Sequence, residues 1–185
     1  NISGVISGAG GLIKDGSETL TLSGANTYSG GTIVNAGTLT GTTGSLQGAI
    51  INNGALHFDQ STDGTYAGVM SGSGALQKSG SGKVLLSGVN THSGGTTLNA
   101  GGIEVASGSA LGDGAVTLNG GSLLVRSKAE MQANLGFAGD LNWSGGVVAF
   151  YGTGLSPDSN DLKIEVGGNF LNGGNGGLFD FSQVE

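Results

Sequence analysis

No cysteine occurs in the 185-residue chain, which excludes disulfide staples, thiolate metal sites and thiol catalysis. Basic residues are scarce as well. Six Lys and Arg stand against thirteen Asp and Glu, giving a formal net charge of −7 and an isoelectric point near 4.5. Phosphate backbones are bound by clustered positive charge, so nucleic acid is excluded as a partner. No apolar run approaches the roughly 20 residues of a helical membrane span, so no direct span is expected in this segment. Residues 1–15 lack the basic start and apolar core of a signal peptide, and the first residue is Asn1. The chain therefore reads as a mature form or an excised segment of a larger parent. Proline occurs once, and charged residues make up only 10%.

Glycine is what the chain has in excess, at 41 residues. It follows no every-third period, which excludes collagen. A hydrophobic content of 36% with little charge argues against disorder. Glycine adopts positive φ cheaply, and Asp15-Gly16, Asn53-Gly54, Asp63-Gly64, Asp113-Gly114, Asn119-Gly120 and Asn172-Gly173 all separate short apolar runs. Strand-like runs cover Thr19–Ser23, Gly31–Asn35, Ala49–Asn52, Ala55–Asp59, Lys83–Ser87, Gly95–Asn99, Ala115–Leu118, Ser122–Arg126, Val147–Tyr151, Asp161–Val166 and Leu178–Phe181.

Residues 2–39 align with residues 66–103 without a gap, and slightly more than half of the positions are identical. SGANTYSGGTIVNAGTL at 23–39 returns as SGVNTHSGGTTLNAGGI at 87–103. Gly8, Gly10, Gly16, Gly24, Gly30, Gly31 and Gly37 recur as Gly72, Gly74, Gly80, Gly88, Gly94, Gly95 and Gly101, at the expected corners. Leu20 with Leu22, and Val84 with Leu86, share one strand face at a period of two, and Thr21 and Leu85 point the other way. A sandwich or meander accommodates such spacing but leaves the long gapless repeat unexplained. A parallel β-helix explains it. At about 20–22 residues per coil, the offset between the copies makes three coils and the chain holds roughly eight, with like residues of the two copies stacked.

The blocks Leu12–Leu39 and Leu76–Ile103 resemble the autotransporter-associated β-strand repeat of bacterial autotransporter passengers and other large surface proteins. Leu12, Lys14, Gly16, Leu20, Leu22, Ser23, Gly24, Asn26, Thr27, Tyr28, Ser29, Gly30, Gly31, Thr32, Val34, Asn35, Ala36, Gly37, Thr38 and Leu39 carry the match. The second copy departs at His92, Gly102 and Ile103. The resemblance implies a right-handed parallel β-helix that is secreted or displayed at the bacterial outer membrane. It implies a scaffold without catalytic residues.

Residues 1–126 thus form repeat-bearing coils, and residues 127–185 a non-repeating continuation or cap. Seven of the ten aromatics lie beyond residue 136. Ser127 to Glu130 has capping-box spacing, so a short helix is expected near 127–135, and Gly152–Asn160 reads as the longest loop. The candidate partner contacts outside the repeat are Trp143, Tyr151, Pro157 and Asp158.

No catalytic, metal or cofactor residue is assigned. His92 stands where the first copy has Tyr28, which suggests an aromatic corner and not a zinc ligand. No G-x-S-x-G elbow occurs. The run at 173–180 superficially resembles a calcium nonapeptide, but Leu178 occupies the ligand aspartate's place. The expected function is a non-enzymatic spacer, stalk or adhesin that contacts itself, other extracellular or cell-surface proteins, or glycans. A self-assembling extracellular filament subunit is the first alternative. A β-helix polysaccharide lyase or glycosidase is the second; such enzymes need grouped acids, and Asp161 and Glu165 are the best-spaced pair.

The inward and outward assignment has a direct test. Leu22→Asp should unfold the rod, whereas Thr21→Asp should cost little in a thermal melt; equal losses would sink the assignment.

Overall fold

The computed structural model describes residues 1–126, 135–137, 139–152, 164–166, 170–172 and 178–184. Among them the fold is all-β, and every strand pairing is parallel. Parallel neighbours need a crossover, and here the rest of each coil supplies it, so the chain climbs as a β-solenoid of about six turns. Three long stacks organise the turns. The first holds Leu12–Lys14, Thr32–Val34, Ile50–Asn52 and Met70–Ser71. The second is eight strands deep: Thr19–Thr21, Thr38–Gly41, Ala55–Asp59, Ala75–Ser79, Thr96–Leu98, Val116–Leu118, Leu141–Trp143 and Phe170–Asn172. The third holds Gly64–Tyr66, Lys83–Leu86, Gly102–Val105, Ser122–Arg126, Val147–Gly152 and Leu178–Val184. Two short pairs flank them: Ser7–Gly8 with Thr27–Tyr28, and Leu135–Phe137 with Ile164–Val166.

Period-two alternation decides what fills the bore. In the second stack Leu20, Leu39, Leu56 and Leu76 stand in direct register, followed by Thr96, Val116 and Leu141. In the third, Val84, Ile103, Leu123 and Val148 form one inward column, and Tyr66, Leu86, Val105 and Val125 another. All of these except Leu20 are buried. Each fully buried aliphatic side chain contributes about 1.5–3 kcal/mol, so the columns are the main apolar source of stability. Phe58 and Tyr66 meet across the bore at a centroid separation of 5.3 Å.

The expected coil length needs correction within the repeat. Along the second stack the column passes from Leu20 to Leu39, Leu56, Leu76, Thr96 and Val116, and no step in that run is longer than the one from Leu76 to Thr96. The step then lengthens to Leu141, and again to Phe170. The coils are therefore of unequal length, and the expected count of roughly eight is approximate. The offset between the copies is also not three whole coils. From Leu12 the first stack returns at Thr32, Ile50 and Met70, which completes three coils. Leu76, the repeat partner of Leu12, comes later than Met70 and lies in the second stack. Thr19–Thr21 likewise lies in the second stack and its counterpart Lys83–Leu86 in the third. Each copy thus sits one face further round the rod. Like residues of the two copies do not stack on each other; each stacks on the neighbouring coil.

The helix expected near 127–135 is not confirmed at its end, because Leu135 opens a strand. Residues 127–134 and most of the expected loop Gly152–Asn160 lie outside the described residues. Val116–Leu118 pairs with Leu141–Trp143, and Ser122–Arg126 with Val147–Gly152, so both stacks run on past residue 126.

Candidate functional site

Three polar residues that both copies of the repeat keep, Lys14, Asn26 and Thr32, are buried inside the rod, where they tie coils together. Asn26 is buried at a corner: its Oδ1 accepts from the Ile6 amide at 2.8 Å, and its Nδ2 donates to the Ser45 carbonyl at 2.7 Å. Ile6 belongs to the coil below and Ser45 to the coil above. Asn90 repeats the arrangement one face on, accepting from the Met70 amide at 2.8 Å and donating to the Ala110 carbonyl at 2.6 Å. One side chain satisfies a donor and an acceptor that would otherwise be buried unpaired.

Tyr28 and His92 occupy the corner predicted for an aromatic. The Tyr28 hydroxyl lies 2.8 Å from Thr32 Oγ1, and His92 Nε2 lies 2.9 Å from Thr96 Oγ1. Each threonine then donates to the next coil, to Gln47 O at 3.3 Å and Leu111 O at 2.8 Å. Tyr and His are interchangeable here because both place a polar atom at the same reach. His92 Nδ1 is buried without a hydrogen-bond partner. Burial holds the imidazole below its ordinary pKa, against the opposing pull of Asp113.

Lys14 and Lys78 are buried, which sequence reading missed. The Lys14 ammonium donates to Asp15 O at 2.9 Å, Gly16 O at 2.7 Å and Ala36 O at 3.0 Å. Lys78 does the same with Ser79 O, Gly80 O at 3.0 Å and Ala100 O at 3.4 Å. Three donors on one flexible stem match three carbonyls from two coils. Desolvation lowers the Lys78 pKa, and Asp59 and Asp63 pull the other way. A signal was present in the sequence: Lys14 is the only charged residue that both copies of the aligned block keep.

A third buried charge was also unforeseen. Glu104 lies in the third stack with its side chain 4% exposed, bridged to Lys83 Nζ at 2.5 Å and Arg126 Nη2 at 2.6 Å. The three residues come from successive coils, so the carboxylate clips the rod from outside as Asn90 does from inside. Its partners lie far apart in the chain, on either side of it, and no local pattern reveals them.

The sequence-designated contacts are distributed unevenly. Trp143 is buried in the bore and presents no surface. Tyr151 lies in Val147–Gly152, paired with Arg126. Pro157 and Asp158 lie outside the described residues, as does Asp161; Glu165 pairs with Gly136. His57 faces outward, with Nε2 at 2.5 Å from Ser79 Oγ, which in turn donates to Asp59 at 3.2 Å. Among the described residues no three His, Asp or Glu side chains group to hold a metal.

The outer surface of the first stack is the notable exposed feature. Ile13, Ile33 and Ile51 stand in direct register and point outward. Ile13 is 60% exposed and Ile51 45%, and on the coils above them Val69 and Val89 are 44% and 59% exposed. The scaffold does not require these residues, since the second copy has Gln77 and Thr97 where the first has Ile13 and Ile33.

A parallel solenoid whose corners are locked by repeated Asn, Thr and Lys is a scaffold. Comparison with known proteins gives the scaffold its kind. The passenger-associated transport repeat matches residues 12–40 and 76–105, so the chain carries two autotransporter passenger repeats. It is similar to the adhesin BmaC autotransporter of Brucella suis biovar 1 (strain 1330), with 38% identity over 81 residues. That match covers 31% of this chain and 2% of the relative, so the chain spans a small part of that protein's length. No solved structure matches. The repeats and the relative indicate a secreted or outer-membrane-displayed surface protein. Among the described residues no helix is long and apolar enough to cross a membrane.

Two measurements probe the corners. Asn90→Leu leaves the Met70 amide and the Ala110 carbonyl without their partner and should cost about 2–4 kcal/mol in denaturant unfolding, whereas exposed Asn99→Ala should cost under about 0.5 kcal/mol. Because His92 binds a proton less readily folded than unfolded, its contribution is full above the unfolded value and fades as pH falls below about 6.5. His92→Tyr, the first copy's residue, should flatten the fall in Tm between about pH 7 and pH 5.5. Equal slopes for the two proteins would contradict this.

Proposed function

We propose that this chain is a non-enzymatic structural and adhesive segment of a surface-displayed protein, a stiff spacer that carries contact surface along its length. The carrying observation is the unbroken parallel ladder through the second stack, with side chains such as Asn26 and Asn90 bound to the coils both above and below. A rod clipped this way resists bending, because separating any two coils breaks main-chain and side-chain hydrogen bonds together. The adhesin name of the Brucella relative supports the adhesive half of the reading.

The contact surface we assign is the outward column of Ile13, half-buried Ile33 and Ile51, with exposed Val69 and Val89 on the coils above, where Ser71 takes the place in register with Ile51; its apolar chemistry suits another surface protein better than a glycan. Tyr151 with Pro157 and Asp158 is a second contact region, favoured by its position outside the repeat. Residues 127–185 continue or cap the same solenoid in this reading, supported by the pairing of Leu141–Trp143 and Val147–Gly152 with the coils before them.

The test borrows the second copy's residues. Ile13→Gln with Ile33→Thr should leave Tm within about 1 °C, since outward positions that the second copy fills with Gln77 and Thr97 contribute little. The same variant, displayed on cells, should lose most of its adherence to surfaces coated with cell-surface protein. Unchanged adherence would remove the column from the account.

A further inference from the structure

Of the chain's two histidines, His92 is buried and His57 stands half-buried on the outer face of the second stack. Leu56 and Phe58 point into the bore, so alternation sends His57 and Asp59 outward side by side. Ser79 lies in register with Asp59 on the coil above. Its Oγ is 2.5 Å from His57 Nε2 and 3.2 Å from Asp59 Oδ1. An imidazole nitrogen and a carboxylate oxygen thus converge on one point of the outer surface, from strands that the solenoid holds in register.

The serine hydroxyl marks that point. It donates its single proton to Asp59, and His57 then donates to it from Nε2. Neutral imidazole can carry its proton on Nδ1 instead, which turns the Nε2 lone pair toward the same place. Once the hydroxyl proton swings aside, a cation can stand where the two shared hydrogens were. Lys78, whose charge Asp59 also feels, does not compete for the place, because its ammonium is turned onto the carbonyls of Ser79, Gly80 and Ala100.

We propose that His57, Asp59 and Ser79 form an open surface site for a late divalent transition cation, copper(II) ahead of zinc. The donor set decides the class. Imidazole nitrogen with carboxylate and hydroxyl oxygen suits copper and zinc, whereas magnesium and calcium take oxygen ligands alone. Two strong ligands and one weak one leave the remaining positions to water, so the cation is exchangeable and the fold does not depend on it. The repeat does not demand the trio either: the first copy has Asp15 where the second has Ser79. The site is separate from the apolar column, and it exists whether or not the rod is adhesive.

The test titrates the chain with zinc chloride and follows the histidine ring resonances by NMR. His57 should shift and His92 should not, magnesium chloride should shift neither, and copper(II) should displace the zinc. His57→Gln and Asp59→Asn should each weaken zinc binding about tenfold or more. Ser79→Asp borrows the first copy's residue and turns the weak ligand into a strong one at the same point. It should tighten binding about tenfold or more, and zinc should raise the Tm of that variant. All three positions face outward, so the variants keep the fold. A shift at His92 in place of His57, an affinity untouched by His57→Gln or Asp59→Asn, or no tightening in Ser79→Asp would overturn the proposal.

Discussion

A chain that lays each coil directly on the one before must bring backbone against backbone at its corners as well as along its faces. That close approach governs the rest of the molecule. At Gly101, with φ +70°, a Cβ would meet the Gly82 carbonyl at 2.5 Å, and the Lys78 ammonium lies close by at the same corner. Glycine is therefore demanded twice there, by conformation and by space. The tight corner leaves carbonyls facing inward with no strand to receive them, and the buried lysine is the donor that answers them. Glycine and lysine recur together because one creates the need that the other meets.

The advance of the repeat by one face has a physical consequence. Since the offset between the copies exceeds three coils, the same corner chemistry is delivered to successive sides of the rod. The clips at Asn26 and Asn90, and the polar pairs at Tyr28 and His92, thus brace different edges. Bracing spread round the section stiffens a prism more evenly than bracing along one edge. The outward positions are free to differ between copies. Ile13 and Ile33 colour one face apolar while Gln77 and Thr97 leave the next one polar, so one repeat can build surfaces of different character on a constant frame.

The frame was legible because its signals are local. Glycine corners, period-two alternation and a gapless self-alignment identified a parallel solenoid, and each of the strand-like runs overlaps a strand. Among the strands that escaped, Gly64–Tyr66 and Gly102–Val105 begin on glycine and hide in turn-like composition. Exposure could not be read for Trp143: an aromatic outside the repeat looks like a contact, yet alternation turns it into the bore. The interior roles of Lys14, Lys78 and Glu104 depend on partners one coil away. That step is not constant: it is shortest from Leu39 to Leu56 and longest from Leu141 to Phe170 along the second stack. Coil length was the missing quantity, and dividing the repeat by three gave a value slightly too long.

That step is also where the account is most exposed to measurement. The chain has no cysteine, so pairs can be introduced on a clean background and oxidised. Gln77 and Thr97 are in direct register across neighbouring coils, at a separation a disulfide can bridge. Coils of about 21–22 residues, as an even division of the repeat would require, would move Asn99 toward that place. The account predicts that cysteines at 77 and 97 link rapidly and completely while cysteines at 77 and 99 do not. Preferential linking of 77 to 99 would contradict it.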